Sequence, residues 1–255
     1  HTLGTQFFGC LTEKQAASLM AKAWMISLLR HVKEVVKPRA CVICQHRLAP
    51  TEHAVCTTCN RHLPRTHYAA EARDNPVCRL FWRQVPIERG ASWVVYAAHA
   101  PISKAIYALK YRHQATIGQR LGELMATELK AEGFFEGIDF IVPVPLTRGR
   151  CRERGYNQSL LIAEGISHVT SIAIDEHILT RLHYKGSQTQ QTIERRRENV
   201  KGAFQLHHPE RVRGHHVLLI DDVITTGATM LACAKELARA GEVTISVLSL
   251  GYAGR

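Results

Sequence analysis

The sequence predicts an α/β protein with a mostly parallel sheet flanked by helices, preceded by a small cysteine-rich module. From residue 92 onward, apolar runs alternate with amphipathic stretches, as they do when strands and helices follow one another along a chain. Before that point, five cysteines fall within residues 41–78 and apolar periodicity is weak, so this segment needs a cross-link to fold. We therefore expect an extension over residues 1–37, helical in part, a metal-binding module over 38–90 and the α/β domain over 91–255.

The predicted strands are near-continuous apolar runs, which is typical of a parallel sheet covered on both faces. They lie at residues 93–98, 140–144, 178–182, 217–220 and 243–250. Apolar residues at helical spacing predict helices at 117–129, 160–166 and 230–237, and an amphipathic stretch covers 102–109. Strands and helices thus alternate as a doubly covered sheet requires.

Composition narrows the function classes. The chain has 255 residues, of which 45% are hydrophobic and 22% charged, so it buries a core and is neither disordered nor fibrous. Its net charge of +11 favours a polyanionic partner, namely a phosphorylated small molecule, a nucleic acid or an anionic membrane surface. No run of eighteen or more apolar residues occurs, and no signal peptide is recognisable, so we expect a cytoplasmic protein without a membrane span.

Two C-x-x-C pairs stand eleven residues apart in the cysteine-rich module. Each pair can aim two sulfurs at one point from a tight turn, so that together they supply four thiolates to a tetrahedral zinc ion. The candidate ligands are Cys41, Cys44, Cys56 and Cys59. Disulfides or a redox pair are the alternatives, and the expected reducing compartment disfavours them. Such a closed site serves folding. Cys78 is expected to be a small buried residue, and other nearby candidate ligands are His46, His53 and His62.

Residues 217–229 form the most informative stretch, VLLIDDVITTGAT, in which an apolar strand ends in two acids and a small-residue turn opens a helix. Unpaired amides at the start of a helix, together with its dipole, bind a phosphate group. Asp221 and Asp222 suit ribose hydroxyls and a divalent cation such as Mg²⁺. The candidate phosphate contacts are Thr225, Thr226, Gly227, Ala228 and Thr229. An ordinary strand-to-helix turn would require only one capping residue.

This motif resembles the phosphoribosyl pyrophosphate (PRPP) loop of the type I phosphoribosyltransferases, and with the cysteine pairs before it the chain resembles the ComF family in particular. The resemblance extends from about residue 41 to residue 250. Further motifs that carry it are ALKYR at 108–112, VPVPL at 142–146, RGYNQS at 154–159 and QT at 188–189. It implies a type I phosphoribosyltransferase fold over 91–255, PRPP and Mg²⁺ as ligands, a structural zinc ion and a link to competence and DNA uptake.

Three further groups of residues are candidates for the same site. Lys110 and Tyr111 are expected to face the diphosphate of PRPP, although a basic residue also suits the C-terminus of a helix. The resemblance implies a mobile loop that closes over PRPP, with contacts from Gln188, Arg196 and Asn199. Candidate contacts to a base or to DNA are Arg154, the last residue of an arginine-rich hairpin or loop over 148–154, and the following Tyr156 and Asn157.

Two functions are compatible with these residues. In the first, the protein is an enzyme that transfers the phosphoribosyl group of PRPP to an acceptor such as a base or an amine. No single acid or histidine identifies itself as the general base. In the second, the protein is a non-catalytic PRPP sensor that also binds single-stranded DNA and acts with the competence machinery. The sequence leaves the acceptor and the oligomeric state open.

Overall fold

A five-stranded parallel sheet is the centre of the computed structural model, which describes residues 39–111, 115–182 and 202–254. Its strands are β1 (Arg89–Val95), β2 (Phe140–Pro143), β3 (Ala173–Ile174), β6 (His216–Ile224) and β7 (Thr244–Tyr252). The strand order is β1-β7-β6-β2-β3, and every neighbouring pair is parallel. The predicted α/β class with a mostly parallel sheet is therefore confirmed.

The predicted strand at 178–182 does not join this sheet. Residues Leu179–Arg181 form β4, which pairs antiparallel with β5 (Phe204–Leu206) in a separate two-stranded sheet. The edge position beside β2 belongs instead to β3, whose two residues are too few to give a periodic pattern. An apolar run indicates a strand but not the sheet to which it belongs, and this prediction was wrong for that reason.

Helices cover both faces of the sheet. In chain order they are α1 (Thr57–Arg61), α2 (Pro76–Arg79), α3 (Pro101–Tyr111), α4 (Ala115–Ala131), α5 (Arg148–Arg154), α6 (Gln158–Thr170) and α7 (Ala228–Ala238). Helices α4 and α6 approach closely, because a Cβ atom on Gly165 would lie 2.0 Å from the carbonyl oxygen of Gln119. Among the described residues, no helix is both long and apolar enough to cross a membrane.

The arginine-rich segment after β2 is a helix and not the predicted hairpin or loop. Thr147 caps the N-terminus of α5 by accepting a hydrogen bond from the amide of Arg150, and Gly155 ends the helix with a φ of 81°. Arginine favours helices, but α5 buries none of its side chains and so has no apolar period to reveal it.

The sheet separates two hydrophobic clusters because successive strand residues point to opposite faces. Leu218 and Ile220 of β6 lie in the first cluster with residues of α3, α4 and α6, whereas Val217 and Leu219 lie in the second with residues of α7, β4 and β5. The cysteine-rich segment contributes to both clusters. Its residues in the first are Cys41, Ile43, Leu48, Val55, Cys56, Leu63 and Ala69, and those in the second are Val77, Phe81 and Val85. The domain boundary at residue 90 stays a prediction.

Candidate functional site

The strand, turn and helix of the predicted phosphate loop lie at the middle of the sheet. Strand β6 continues through both acids to Ile224, further than the sequence suggested, because Asp221 pairs with Ser249 of β7 and Ile224 with Tyr252. Gly227 follows with a φ of 72° and starts α7 without a capping side chain. The amide of Ala228 donates to the Thr226 hydroxyl over a long 3.5 Å, and the first turn of α7 is open to an anion beside the exposed Thr225 and Thr226.

Asp221 and Asp222 have different partners. The Nζ atom of Lys110, near the end of α3, lies 2.9 Å from Oδ2 of Asp222. Ser159, near the start of α6, donates its hydroxyl to Oδ1 of Asp221 over 3.0 Å, and the amide of Asp222 donates to the same oxygen. Residues from two helices and one strand thus meet at the acid pair, although they are far apart in sequence.

The electrostatics of the acid pair favour a bound cation. Burial and the neighbouring charge of Asp222 raise the pKa of Asp221, and the hydrogen bonds from the Asp222 amide and Ser159, together with the charge of Lys110, only partly oppose them. Two carboxylates in a poorly hydrated position carry more negative charge than one lysine neutralises. Oxygen ligands of this kind suit Mg²⁺, so the donor set fits a magnesium ion brought in with a phosphorylated ligand.

The residues predicted to contact a base or DNA make structural contacts around this site. Asn157 caps α6 and donates its side-chain amide to the carbonyl oxygen of Val144. Tyr156 donates its hydroxyl to the carbonyl oxygen of Leu109 over 2.8 Å, and Arg154 donates to the side chain of Gln158. These bonds join the end of α3, which carries Lys110, to the start of α6. Their assignment as ligand contacts stays a prediction.

Several candidate residues lie outside what the structure describes. Gln188, Arg196 and Asn199 belong to residues 183–201, and of Tyr111 only the backbone is described. Sequence reasoning also missed a residue that lies at the site, Ser159. It stood in a recognised motif without a role, so it carried no signal of its own.

The four predicted cysteine ligands come together. Their sulfur atoms all lie within 4.8 Å of one another, and the sulfurs of Cys44 and Cys56 are 3.7 Å apart. A tetrahedral ion with metal–sulfur bonds of about 2.3 Å needs sulfur atoms about 3.8 Å apart. Burial raises the pKa of Cys41, but amide hydrogen bonds from Cys44 and Cys56 outweigh it and lower that pKa, which favours a thiolate. The cluster can therefore hold a metal ion.

The other candidate metal ligands have different partners. The buried thiol of Cys78 donates to the carbonyl oxygen of Ala72. The Nδ1 atom of His62 lies 2.8 Å from the carbonyl oxygen of Thr58, and that of His53 lies beside the guanidinium of Arg39. Within the described residues, the group of mutually close donor atoms consists of the four cysteines alone.

A cleft of about 600 Å³ borders the phosphate loop on the outer side of α7. Its lining includes Leu80, Phe204, Thr226, Ala228, Leu231 and Lys235. A volume of this size suits a small molecule. Because Leu80 follows α2, the cysteine-rich segment supplies part of the wall beside the loop.

The fold and the loop define a class of protein. A parallel sheet whose central strand carries an acid pair into a Thr-Thr-Gly-Ala-Thr turn at the start of a helix is the arrangement of a phosphoribosyltransferase domain. The family model for the phosphoribosyl transferase domain matches residues 113–250, which is more than half of the chain. Within this class, the chain belongs to the ComF family. The type I phosphoribosyltransferase fold expected from the sequence is thereby confirmed.

Relatives of the chain carry the names of that family. The DNA utilization protein YhgH of Salmonella typhimurium is 30% identical over 223 residues, which cover 84% of this chain and 96% of the relative. Competence protein F of Haemophilus influenzae is 28% identical over 226 residues, with the same shares of each chain. Among solved structures, a purine phosphoribosyltransferase from Pyrococcus horikoshii is 21% identical and covers 62% of this chain and 76% of its own, with a TM-score of 0.32.

Proposed function

We propose that the protein binds PRPP together with Mg²⁺ at residues 221–229. The acid pair in β6, followed by a short turn and by the start of α7, whose N-cap Gly227 has no capping side chain, is the observation that carries this proposal. The 5-phosphate of PRPP accepts hydrogen bonds from the first amides of α7 and from the hydroxyls of Thr225, Thr226 and Thr229. The carboxylates of Asp221 and Asp222 hold the ribose hydroxyls and the cation.

Lys110 faces the diphosphate of PRPP in this proposal. Its ammonium group already lies beside Asp222, so a diphosphate held next to the acid pair exchanges one anionic partner for another. Mg²⁺ bound at the same place neutralises part of the diphosphate charge. From the resemblance, Gln188, Arg196 and Asn199 belong to the loop that covers PRPP, and Tyr111 and the basic segment 148–154 lie beside it.

The reaction we propose is transfer of the phosphoribosyl group. The bond between C1 of the ribose and the diphosphate oxygen breaks, the diphosphate leaves with the electron pair, and a nucleophilic atom of the acceptor bonds to C1. Charge grows on the leaving diphosphate as the bond breaks, so a fixed lysine beside it stabilises the transition state. Exclusion of water protects the electron-poor ribose from hydrolysis. The acceptor is a base or an amine.

Calorimetry of Mg²⁺-PRPP binding tests the site. We expect the double variant Asp221→Asn, Asp222→Asn to lose at least tenfold in affinity, since it removes both charges that hold the cation. Glu242→Gln removes an exposed acid just before β7, near the opposite end of that strand from Ser249, the partner of Asp221, and is the matched control. Affinity unchanged within about threefold, roughly 0.7 kcal/mol, would refute the assignment. Release of diphosphate from Mg²⁺-PRPP in the presence of bases or amines separately tests transfer.

For the four-cysteine cluster we propose one structural zinc ion. Four thiolates leave no position for a water or a substrate, so the ion would join the two C-x-x-C turns and take no part in the reaction. Zinc fits the compact all-sulfur donor set better than magnesium or calcium, which prefer oxygen ligands.

A second candidate function is that of a PRPP sensor which binds single-stranded DNA and acts with the competence machinery. The relatives' names, DNA utilization protein and competence protein, and the net charge of +11 favour it. Trp82 is 55% exposed and offers a face for a base. We expect Trp82→Ala to weaken binding of a labelled oligonucleotide at physiological salt by about 1–3 kcal/mol in fluorescence anisotropy. Binding that vanishes at that salt and ignores Trp82 would leave only generic charge attraction.

A further inference from the structure

Helix α3 contacts both the cysteine cluster and the acid pair. Lys104, in its first half, donates from Nζ to the carbonyl oxygen of Ile43 over 3.3 Å. Lys110, near its end, places Nζ 2.9 Å from Oδ2 of Asp222. The two lysines stand about 9 Å apart along the helix axis, because an α-helix rises about 1.5 Å per residue. One short helix therefore spans the distance between the two sites.

Ile43 lies inside the first C-x-x-C turn, so its position depends on that turn. It stands between Cys41 and Cys44, two of the four proposed zinc ligands, and its side chain is buried. A metal ion bound to all four sulfurs would hold both ends of the turn, whereas without the ion only weak hydrogen bonds between thiols join them. The carbonyl oxygen that accepts from Lys104 is therefore held in place when the metal is bound and is less constrained without it.

The second half of α3 packs tightly against the sheet beside the acid pair. Gly251 of β7 pairs with Val223, which follows the acid pair in β6, and a Cβ atom on Gly251 would lie 3.3 Å from Cδ1 of Ile106. Leu109 is fully buried in the same hydrophobic cluster. Interiors packed at this density transmit a displacement and do not absorb it. A shift of α3 at its cysteine end is therefore felt at Lys110.

We propose that Lys104 is a positioning residue, which couples metal binding at the cysteine cluster to PRPP binding through α3. This inference rests on the proposed function, because it takes Lys110 as the contact to the diphosphate and zinc as the metal of the cluster. With zinc bound, the hydrogen bond from Lys104 to Ile43 holds α3 where Lys110 reaches the diphosphate. Without zinc this bond is weakened, and PRPP binds less tightly.

The coupling acts in both directions. If zinc raises the affinity for PRPP by a given factor, PRPP raises the affinity for zinc by the same factor. Couplings between two sites are typically about 5-fold to 150-fold, and a connection that depends on one hydrogen bond belongs at the lower end of this range. We therefore expect a factor of about five.

Calorimetry of Mg²⁺-PRPP binding to the full chain tests the coupling. It is carried out with zinc bound and after zinc removal by a nitrogen-donor chelator, which leaves Mg²⁺ in solution. Lys104→Met removes the ammonium group from a side chain of similar length, and Lys104→Arg keeps a cationic donor. Lys130→Met is the matched control, because Lys130 also donates to a backbone carbonyl oxygen, that of Val169 in α6.

The expected results separate positioning from a general loss of stability. Zinc removal should weaken PRPP binding about fivefold in the unsubstituted protein, in Lys104→Arg and in Lys130→Met. Lys104→Met with its zinc still bound should already bind PRPP about fivefold more weakly, and zinc removal should change its affinity by less than about twofold. In a zinc buffer that fixes the free metal concentration, Mg²⁺-PRPP should raise the zinc affinity of the first three proteins and not that of Lys104→Met.

Each contrary outcome has a distinct meaning. Lys104→Met that keeps its zinc and binds PRPP as the unsubstituted protein does overturns the proposal. An equal effect of zinc removal in all four proteins also overturns it, because the coupling then bypasses Lys104. Absence of PRPP binding to the zinc-loaded unsubstituted chain refutes the proposed function itself. Lys104 is exposed, so its variants keep the core intact, and the zinc-loaded proteins alone decide the question if chelation unfolds the chain.

Discussion

The four-cysteine cluster and the acid-pair site are built in different ways. All four sulfurs come from residues 41–59, and the second pair lies at the start of the short helix α1, where Cys56 is the N-cap and Cys59 is in the first turn. The acid-pair site collects side chains from residues 110, 159, 221 and 222, which two helices and the central strand carry to one end of the sheet. A local motif can therefore specify the first site almost alone, whereas the second exists only after the sheet has formed.

Removal of the metal should have the largest effect on stability and tests this difference between the two sites. Structural zinc contributes on the order of 10 kcal/mol to the folding of small zinc peptides, so we expect Cys44→Ser to lose the metal and to unfold the local turns. Metal analysis should find one zinc per untreated chain, and hydrogen exchange should rise over residues 39–64 in the variant. Cys151→Ser, which alters a cysteine outside the cluster, should keep the metal. Much less than one zinc per untreated chain would contradict the assignment.

The same experiment locates the domain boundary. The sequence placed it at residue 90, but residues 66–90 bond to the sheet segment, since Thr66 donates its amide to Trp93 and Gly90 donates to Ala72. Val77 and Phe81 also pack with sheet residues. We therefore expect exchange to stay slow over residues 76–95 after metal loss. Fast exchange up to residue 90 would support the boundary drawn from sequence.

What the sequence could predict follows from how local each feature is. The cysteine ligands, the loop at 221–229 and the helices with a strong apolar period were identified because their residues are neighbours in the chain. The partner Ser159 was missed because its role depends on Asp221, which stands 62 residues away. Helix α5 was missed because it buries no side chain. Strand β4 was assigned to the wrong sheet because the sequence of three residues does not determine which strand they pair with.

A partly buried ion pair joins the cysteine-rich segment to α4, and its removal should give the next largest effect. Glu128 of α4 accepts hydrogen bonds from Arg65 and from the indole of Trp93, and Arg65 also bonds to Asn60 of α1. We expect Glu128→Gln to lower the free energy of unfolding by about 1–3 kcal/mol at pH 7, because a partly buried arginine loses its charged partner. Glu88→Gln breaks a pair whose arginine is 76% exposed and should cost less than about 1 kcal/mol.

The effect of Glu128 depends on pH. Burial raises the pKa of Glu128, but the bonds from Arg65 and Trp93 outweigh it and hold that pKa below its ordinary value of 4.5. A carboxyl group with a depressed pKa stabilises the folded state above its unfolded pKa and loses this contribution as the pH falls through the folded pKa. In urea unfolding, the free energies of the unsubstituted protein and of Glu128→Gln should therefore differ at pH 7 and become similar in acid. An equal difference at both pH values would exclude the ionised pair as its cause.

Substitution of Gly227 should have the smallest effect on stability, and it tests most directly whether the cysteine-rich segment influences the phosphate loop. It has a φ of 72°, and a Cβ atom there would lie 3.0 Å from Cδ1 of Leu80, in the cysteine-rich segment. Gly137 has a φ of 71° with no atom within 4 Å of its Cβ position, so Gly137→Ala is the matched control for backbone strain alone. Each alanine substitution should lower the free energy of unfolding by about 1–2 kcal/mol, because the residue keeps a left-handed backbone conformation.

Only Gly227→Ala should also weaken Mg²⁺-PRPP binding, because the added Cβ atom meets Leu80 and displaces the loop. Adding Leu80→Ala to this variant should restore part of the affinity. If calorimetry finds that Gly227→Ala binds PRPP as Gly137→Ala does, the cysteine-rich segment does not set the shape of the phosphate loop.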